Sequence, residues 1–318
     1  MFEWEKNVRL VDPYTPGEQP NQPDMIKLNT NENPYPPSPK VAEALKNMDS
    51  DVMRLYPDPT VGDLAAAIAK RYGVEQEQVF VGVGSDDVIA MAFQTFFNSD
   101  KPILFPDITY SFYDVWTECF RIPYKTIPLN ENFEICPEDY TIPCGGIIFP
   151  NPNAPTGCAL PLAKVEQIVA QNRDVVVMVD EAYVDFGADS ALALLEKYDN
   201  LLVIQTFSKS RSMAGMRIGY AIGGKKLIKY MQDVKYSFNS YTMNRPAIIL
   251  GKASIEDEEY FAKTRKQIIE TREWAKEELR ALGFTFPDSM ANFIFASHNR
   301  VPAKEIFAAL REKHIYVR

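Results

Sequence analysis

Residues 206–219 have the sequence TFSKSRSMAGMRIG, and they come just after an apolar run at 201–204 that predicts a buried strand. Lys209 stands between two serines, and Arg217 follows it eight positions later. In α/β proteins, ligands bind where the carboxyl ends of parallel strands meet. The stretch therefore predicts a ligand site at the end of a buried strand.

Lys209 has the sequence surroundings of an amine that forms a Schiff base with pyridoxal phosphate. A lysine can do this only when it is deprotonated part of the time, and burial beside other cations lowers its pKa. Thr206, Ser208 and Arg217 would hold the cofactor phosphate, with Arg217 as a bidentate charge partner. A basic, hydroxyl-rich surface loop would have the same composition, so this stretch alone leaves both interpretations open.

Composition argues against several classes of protein. The 318-residue chain has a net charge of −9, which is unfavourable for nucleic acid or an anionic membrane surface as its main partner. Two histidines, and four cysteines without a CxxC pair, argue against a metal site, a Ser-His-Asp site and a disulfide scaffold, and favour a cytoplasmic protein. We expect no signal peptide and no membrane span, because no apolar run is long enough.

Strands and helices alternate through the middle of the chain. Each predicted strand is a near-continuous apolar run, which is typical of a parallel sheet covered on both faces. We predict an α/β fold in which residues 46–245 form a three-layer α/β/α large domain with a mostly parallel sheet. The predicted strands are 79–83, 103–105, 123–127, 146–149, 175–180, 201–204 and 217–222.

The two ends of the chain are predicted to form a smaller α+β domain, residues 1–45 with 246–318. The first 39 residues are rich in proline and asparagine, which predicts an extended arm with a short strand near 25–28. Towards the C-terminus, we predict a helical region at 244–282 that breaks or bends. A strand at 293–296, a helix at 302–313 and a strand from 315 follow it.

Two turns at strand ends carry further candidate ligand groups. Gly84 and Ser85 lie between a strand and a helix, whose N-terminal N–H groups can bind an anion. A plain turn with Ser85 as the helix cap has the same sequence. Asp180 ends another strand and could keep the pyridine nitrogen of the cofactor protonated, while Tyr183 could donate to its phenolic oxygen. A carboxylate that only caps the strand end is the simpler alternative for Asp180.

In their order along the chain, these segments resemble the fold-type I pyridoxal-phosphate enzymes of the aspartate aminotransferase superfamily. They are most similar to the histidinol-phosphate aminotransferase family. The resemblance covers nearly the whole chain and is specific through the order of its motifs, since each motif alone is weak. The shared segments are LNTNENP at 28–34, RLYP at 54–57, GSD at 84–86, PTG at 155–157, DEAY at 180–183, SK at 208–209 and AGMRIG at 214–219.

The resemblance implies a cofactor role for each matching residue. It implies that Lys209 forms the Schiff base and later moves the substrate proton, that Asp180 pairs with the ring nitrogen, and that Tyr183 contacts the phenolic oxygen. Tyr110 would stack on the ring, and Tyr56 would reach the phosphate bound in the neighbouring subunit of a homodimer. The residues implied at the phosphate are Gly84, Ser85, Asp86, Thr206, Ser208 and Arg217.

Substrate contacts are also implied by the resemblance, for Tyr14, Asn33 and Arg318. Two departures from the family pattern affect the site. The usual Asn-Pro-Thr-Gly loop has Ala154 in place of its asparagine, so Asn153 or Tyr183 would have to contact the phenolic oxygen. The family also continues beyond the position of Arg318 with a second substrate-binding arginine, so we expect a small domain that is truncated and binds substrate weakly.

The resulting hypothesis is a homodimeric aminotransferase of histidine biosynthesis. It would exchange an amino group between histidinol phosphate and 2-oxoglutarate, or between glutamate and imidazole-acetol phosphate, through a pyridoxamine phosphate form. A phosphothreonine decarboxylase or an aromatic aminotransferase of the same fold is an alternative. An alternative of another class is a catalytically idle domain used for binding. A cofactor-free Schiff-base lyase would not explain the phosphate-binding residues.

Overall fold

The computed structural model describes residues 2–318. Its strands are β1 (Ile26–Lys27), β2 (Val79–Gly82), β3 (Ile103–Pro106), β4 (Tyr124–Ile127), β5 (Gly146–Pro150), β6 (Val177–Asp180), β7 (Leu201–Thr206), β8 (Gly219–Gly223), β9 (Phe284–Thr285), β10 (Ser297–His298) and β11 (Ile315–Tyr316). Its α-helices are α1 (Pro39–Lys46), α2 (Gly62–Tyr72), α3 (Ser85–Phe96), α4 (Tyr113–Phe120), α5 (Leu162–Gln171), α6 (Lys225–Phe238), α7 (Arg245–Ile255), α8 (Glu258–Ala281) and α9 (Ala303–Glu312).

The central sheet has seven strands in the order β2-β8-β7-β6-β5-β3-β4. Strand β8 is antiparallel to both of its neighbours, and the other pairs are parallel. Six strands therefore point the same way, and their carboxyl ends lie at the same edge of the sheet as the amino end of β8. The predicted α/β fold with a mostly parallel sheet is confirmed, and this edge collects the loops that carry most of the candidate site.

Helices cover both faces of the sheet because side chains alternate along its strands. In β7, Leu202 and Ile204 join an apolar cluster with α3, α4 and α6. Leu201 and Val203 of the same strand join the cluster on the opposite face, with α5. All six residues of β7 are buried, so its near-continuous apolar sequence follows from contact with helices on both sides.

The N-terminal arm and the C-terminal segment meet in space. Strand β1 pairs in parallel with β11, with Ile26 opposite Ile315. This pairing agrees with the expectation that the two ends belong together, and the division at 46 and 246 stays a prediction. The helical region predicted at 244–282 does break, between α7 and α8, where Asp257 caps α8 and its side chain accepts a hydrogen bond from Ser38.

The predicted strand at 293–296 is wrong. The strand in this region is β10, which pairs with β9, and Ser297 lies opposite Thr285. The apolar side chains just before it pack in different directions: Phe293 meets the edge of Tyr183 with ring centroids 4.9 Å apart, and Phe295 meets Phe133 at 5.4 Å. Phe293 and Phe295 therefore pack against two different parts of the chain, and this accounts for an apolar run that does not form a strand. No helix within residues 2–318 is both long and apolar enough to cross a membrane.

Candidate active site

A cavity of about 490 Å³ lies at the carboxyl-end edge of the sheet and brings most of the predicted site residues together. A larger groove of about 730 Å³ lies between the 131–134 loop and residues 285–297, but no lysine, arginine or histidine lines it. The smaller cavity is therefore the better candidate for an anionic ligand. The predicted residues that line it are Tyr14, Ser85, Asp86, Tyr110, Asp180, Tyr183, Thr206, Ser208, Lys209, Arg217 and Arg318.

Lys209 follows β7, and its amine enters the cavity. Its Nζ donates to the backbone carbonyl of Thr30 at 2.8 Å and lies 5.7 Å from the centroid of the Tyr183 ring. Burial lowers the pKa of Lys209 to about 8, although Glu32 and Asp86 oppose this shift. A substantial fraction of the amine is therefore neutral near pH 8, as a nucleophilic lysine requires.

The loop before α3 and the loops around β7 and β8 form a corner that can bind an anion. Gly84, with φ of +88°, is the N-cap of α3, so Ser85 is the first helical residue rather than the cap. The N–H groups of this first turn have no partner within the helix. Thr206 Oγ1 and Ser208 Oγ lie 3.0 Å apart beside them, and Arg217 contributes its guanidinium.

Arg217 reaches this corner because of the antiparallel direction of β8. The residue lies just before the amino end of β8, and this end is at the same edge of the sheet as the carboxyl end of β7. Its Nη2 pairs with Asp86 Oδ2 at 3.1 Å. An ideal Cβ on Gly84 would lie 2.5 Å from the same Nη2, and the φ of +88° at Gly84 is a backbone conformation that favours glycine.

Asp180 ends β6 and is almost completely buried. Its Oδ2 accepts a hydrogen bond from Tyr113 Oη at 2.9 Å, and its Oδ1 accepts one from the backbone N–H of Ala182 at 3.1 Å. Burial raises the pKa of Asp180 to about 6, while these two hydrogen bonds act to lower it. Asp180 is therefore mostly ionised at neutral pH and could face a cation in the cavity.

Tyr183 lies near Lys209, and burial raises its pKa to about 12, so the phenol stays protonated. Asn31 Nδ2 donates to Tyr183 Oη at 3.1 Å. The LNTNENP motif contains both Asn31 and Asn33, and Asn33 is the predicted substrate contact. In the structure, Asn33 Nδ2 instead donates hydrogen bonds to the backbone carbonyls of Lys209 and Ser210, at 2.9 and 3.2 Å. Asn33 thus supports the lysine loop from outside the cavity wall.

Three aromatic residues form the opposite wall. Tyr110 Oη donates to Asp86 Oδ1 at 3.0 Å, and burial and the nearby Asp86 raise the pKa of Tyr110 far above its ordinary value. Tyr14 stacks on Phe112 with centroids 4.4 Å apart, and Arg318 Nη2 donates to Tyr14 Oη at 3.2 Å. The N-terminal arm and the last residue of the chain therefore meet at the rim.

Four predicted residues do not line the cavity: Gly84, which caps α3 beside it, Asn33, Asn153 and Tyr56. Asn153 is buried, and its amide donates to the carbonyl of Ile108 at 2.9 Å and to Thr156 Oγ1 at 3.2 Å. Its side chain joins two loops, whereas Ala154 lines the cavity. Tyr56 is 79% exposed and packs against Tyr241. Its predicted contact with a neighbouring subunit stays a prediction.

Sequence reasoning missed Tyr113 and Asn31, which hold the side chains of Asp180 and Tyr183. Tyr113 is the first residue of α4, and no motif marks it. For Asn31, the asparagine-rich motif was a usable signal that did not distinguish between two nearby asparagines. Both residues act on site residues distant in sequence, so only their contacts identify them.

Comparison with known proteins gives a consistent result. Residues 23–318 match the family model described as aminotransferase class I and II. The chain is 53% identical over 315 residues to histidinol-phosphate aminotransferase 1 of Methylococcus capsulatus, covering 99% of this chain and 88% of that protein. It is 55% identical, with the same coverage, to histidinol-phosphate aminotransferase 1 of Hydrogenovibrio crunogenus.

Solved structures share the fold. A putative histidinol-phosphate aminotransferase from Erwinia carotovora superposes with a TM-score of 0.84 at 24% identity, covering 92% of this chain and 87% of the other. The histidinol-phosphate aminotransferase from Sinorhizobium meliloti, solved in complex with pyridoxal-5'-phosphate, superposes with a TM-score of 0.81 at 21% identity, covering 91% and 81%. At these low sequence identities, the structural similarity supports only the shared fold.

Proposed function

The chain belongs to the family of class I and II aminotransferases, and from this premise we propose that it is a pyridoxal-phosphate-dependent histidinol-phosphate aminotransferase. The observation that carries the proposal is the buried amine of Lys209, whose pKa is lowered to about 8, in the same cavity as an anion-binding corner and a buried carboxylate. The names of its relatives at 53–55% identity support the choice of substrate.

The cavity residues fit pyridoxal phosphate. The N-terminal turn of α3, Thr206, Ser208 and Arg217 would hold the phosphate, since they combine free N–H groups, hydroxyls and a guanidinium. The φ of +88° at Gly84 lets the chain turn from β2 into α3, so that Ser85 and Asp86 of the first helical turn line the cavity. Asp180 would face the ring nitrogen, and Tyr110 would lie against the ring.

When bound, pyridoxal phosphate withdraws electrons from the α-carbon of an amino substrate. The chain's own residues orient the groups and move the proton. Asp180, ionised above a pKa of about 6, would hold a proton on the ring nitrogen by a charge-assisted hydrogen bond. Lys209 Nζ, released from its contact with Thr30, would take the proton from the α-carbon of the substrate and deliver it to the carbon on the other side of the substrate nitrogen.

Tyr183 would support this step as a protonated phenol. Its pKa of about 12 keeps its hydrogen at neutral pH, and Asn31 fixes its position. The lysine lies 5.7 Å from the centroid of the Tyr183 ring, so both groups can act on one ligand. The amide of Asn153 donates its hydrogen bonds to Ile108 and Thr156, so Tyr183 would be the residue that contacts the phenolic oxygen of the cofactor.

Substrate would enter from the rim formed by Tyr14 and Arg318. The guanidinium of Arg318 lies on the cavity wall and is the natural partner for the phosphate of histidinol phosphate or a carboxylate of glutamate or 2-oxoglutarate. The protein would act as a homodimer, with the exposed Tyr56 at the contact between two copies. Its four cysteines are free thiols, which fits a cytoplasmic location.

The test is the visible absorption spectrum of the protein loaded with pyridoxal phosphate. We expect histidinol phosphate to bleach the visible band and 2-oxoglutarate to restore it, because an amino group is stored and then released. The Lys209→Ala variant should not show the lysine-dependent band. Phosphothreonine and aromatic amino acids serve as comparison donors. Faster bleaching by either one, or no bleaching by histidinol phosphate, would contradict the proposed substrate.

A further inference from the structure

Tyr113 is a fully buried phenol whose hydroxyl contacts the carboxylate at the end of β6. Its Oη donates to Asp180 Oδ2 at 2.9 Å across the interface between α4 and the sheet. Phe105 and Tyr110 pack edge-on against the Tyr113 ring, with centroids 5.8 and 5.7 Å away. The hydroxyl therefore has little freedom, and its position determines where Asp180 can turn.

Asp180 depends on this hydrogen bond because its surroundings otherwise favour the neutral acid. Burial and the negative charge of Asp86 both raise its pKa, while Tyr113 and the Ala182 N–H lower it, and the result is about 6. The other titratable or charged groups that line the cavity are Asp86, Glu32, Tyr14, Tyr110, Tyr183, Lys209, Arg217 and Arg318. Each carboxylate oxygen accepts one hydrogen bond and keeps a second lone pair, and Asp180 lines the cavity, where a ligand could donate to it.

We propose that Tyr113 is a positioning residue for the reaction, which fixes the direction of the Asp180 carboxylate and holds it ionised towards the ring nitrogen of the cofactor. The inference rests on the proposed function, because that nitrogen belongs to pyridoxal phosphate. Tyr113 itself is fully buried and does not line the cavity, so we expect it to touch neither cofactor nor substrate. It acts only through Asp180, so its removal should matter for ligands that carry the ring nitrogen.

The experiment measures the affinity of the apoprotein for two ligands. One is pyridoxal phosphate, and the other is 1-deazapyridoxal phosphate, which has a C–H group in place of the ring nitrogen. Tyr113→Phe is compared with Tyr140→Phe, a matched control. Tyr140 is also fully buried, but its hydroxyl has no hydrogen-bond partner within residues 2–318. Both variants lose one buried hydroxyl, and only the first changes Asp180.

We expect Tyr113→Phe to bind pyridoxal phosphate about 10- to 100-fold more weakly than Tyr140→Phe does, the range for one hydrogen bond to a charged group. Affinity for the deaza analogue should be equal in the two variants. The pH below which pyridoxal phosphate affinity falls should move upward by about one unit, because the carboxylate loses the donor that stabilises its charge. The ¹⁵N chemical shift of ring-labelled cofactor reports the protonation of the nitrogen directly.

An equal loss for both ligands would mean that Tyr113 only supports the fold, and it would overturn the inference. No difference from Tyr140→Phe would do the same. If Tyr113→Phe alone does not fold, the same change is made in an Asp180→Asn background, where no buried charge is left without its donor. Removing the hydroxyl in that background should cost no further affinity, and a further loss there contradicts the inference. A parent protein that binds no pyridoxal phosphate would instead refute the proposed function itself.

Discussion

Gly219 lies against the corner that is proposed to bind the cofactor phosphate, and the structure of this corner should be most sensitive to a methyl group added there. An ideal Cβ there would lie 2.3 Å from both Gly84 C and Ser85 N, and 2.7 Å from Gly84 O. All three are backbone atoms, so no side chain can rotate away. Gly219 is also paired with Gly82 in β2 and Thr206 in β7, and this pairing on both sides prevents β8 from moving away from α3. The Gly219→Ala change must therefore displace the start of α3.

The size of the effect follows from this geometry. Real Cβ atoms essentially never come within 3.0 Å of such neighbours, so Gly219→Ala must separate the two segments by about 0.7 Å. Overpacking of this kind costs about 1–3 kcal/mol of unfolding free energy. The displaced N–H groups of the α3 turn are those proposed to bind phosphate. We therefore expect at least a tenfold weaker affinity for pyridoxal phosphate, equivalent to about 1.4 kcal/mol.

Urea unfolding and cofactor titration measure the two effects separately. Gly215→Ala is the matched control, because a Cβ at Gly215, in the same loop, would have no heavy atom within 4 Å. We expect the control to keep the parent's urea midpoint and cofactor affinity. Equal behaviour of the two variants would refute the reasoning that β8 and the α3 turn are in closest contact at Gly219.

Two further predictions concern the amine and the subunit contact. Reductive labelling of Lys209 by a small aldehyde should rise with pH around a midpoint near pH 8. Burial disfavours the charged ammonium, so its pKa is about 8 instead of the usual 10.5 and neutral amine is present at lower pH. Peptide mapping checks this, and a midpoint near 10.5, or label only on other lysines, would contradict it. If Lys209→Ala and Tyr56→Phe each impair activity alone, mixing the two variants should restore activity, because one site of each mixed dimer would be intact. Verified heterodimers without activity would exclude an active site that is shared through Tyr56.

Much of the architecture could be predicted because local sequence and local structure agree. Strand β7 is buried on both faces, and its apolar run at 201–204 indicates this directly. The proximity of Lys209 and Arg217 was also predictable, since β7 and β8 are adjacent in sequence and paired in the sheet, with both residues in the connection at one edge. Glycines and polar residues after apolar runs identified the ends of β2 and β6 for the same reason.

The sequence by itself thus determined the α/β fold, the edge that carries the site and half of the residues that line the cavity. The tertiary structure alone decided which side chains hold those residues. Tyr113 and Asp180 are 67 positions apart, and Asn31 and Tyr183 are 152 apart. Asn153 turned away to bind Ile108, although its neighbour Ala154 faces the cavity. Such partners are chosen by the packing of distant segments around buried polar groups, each of which must find a hydrogen bond, and no local pattern encodes that choice.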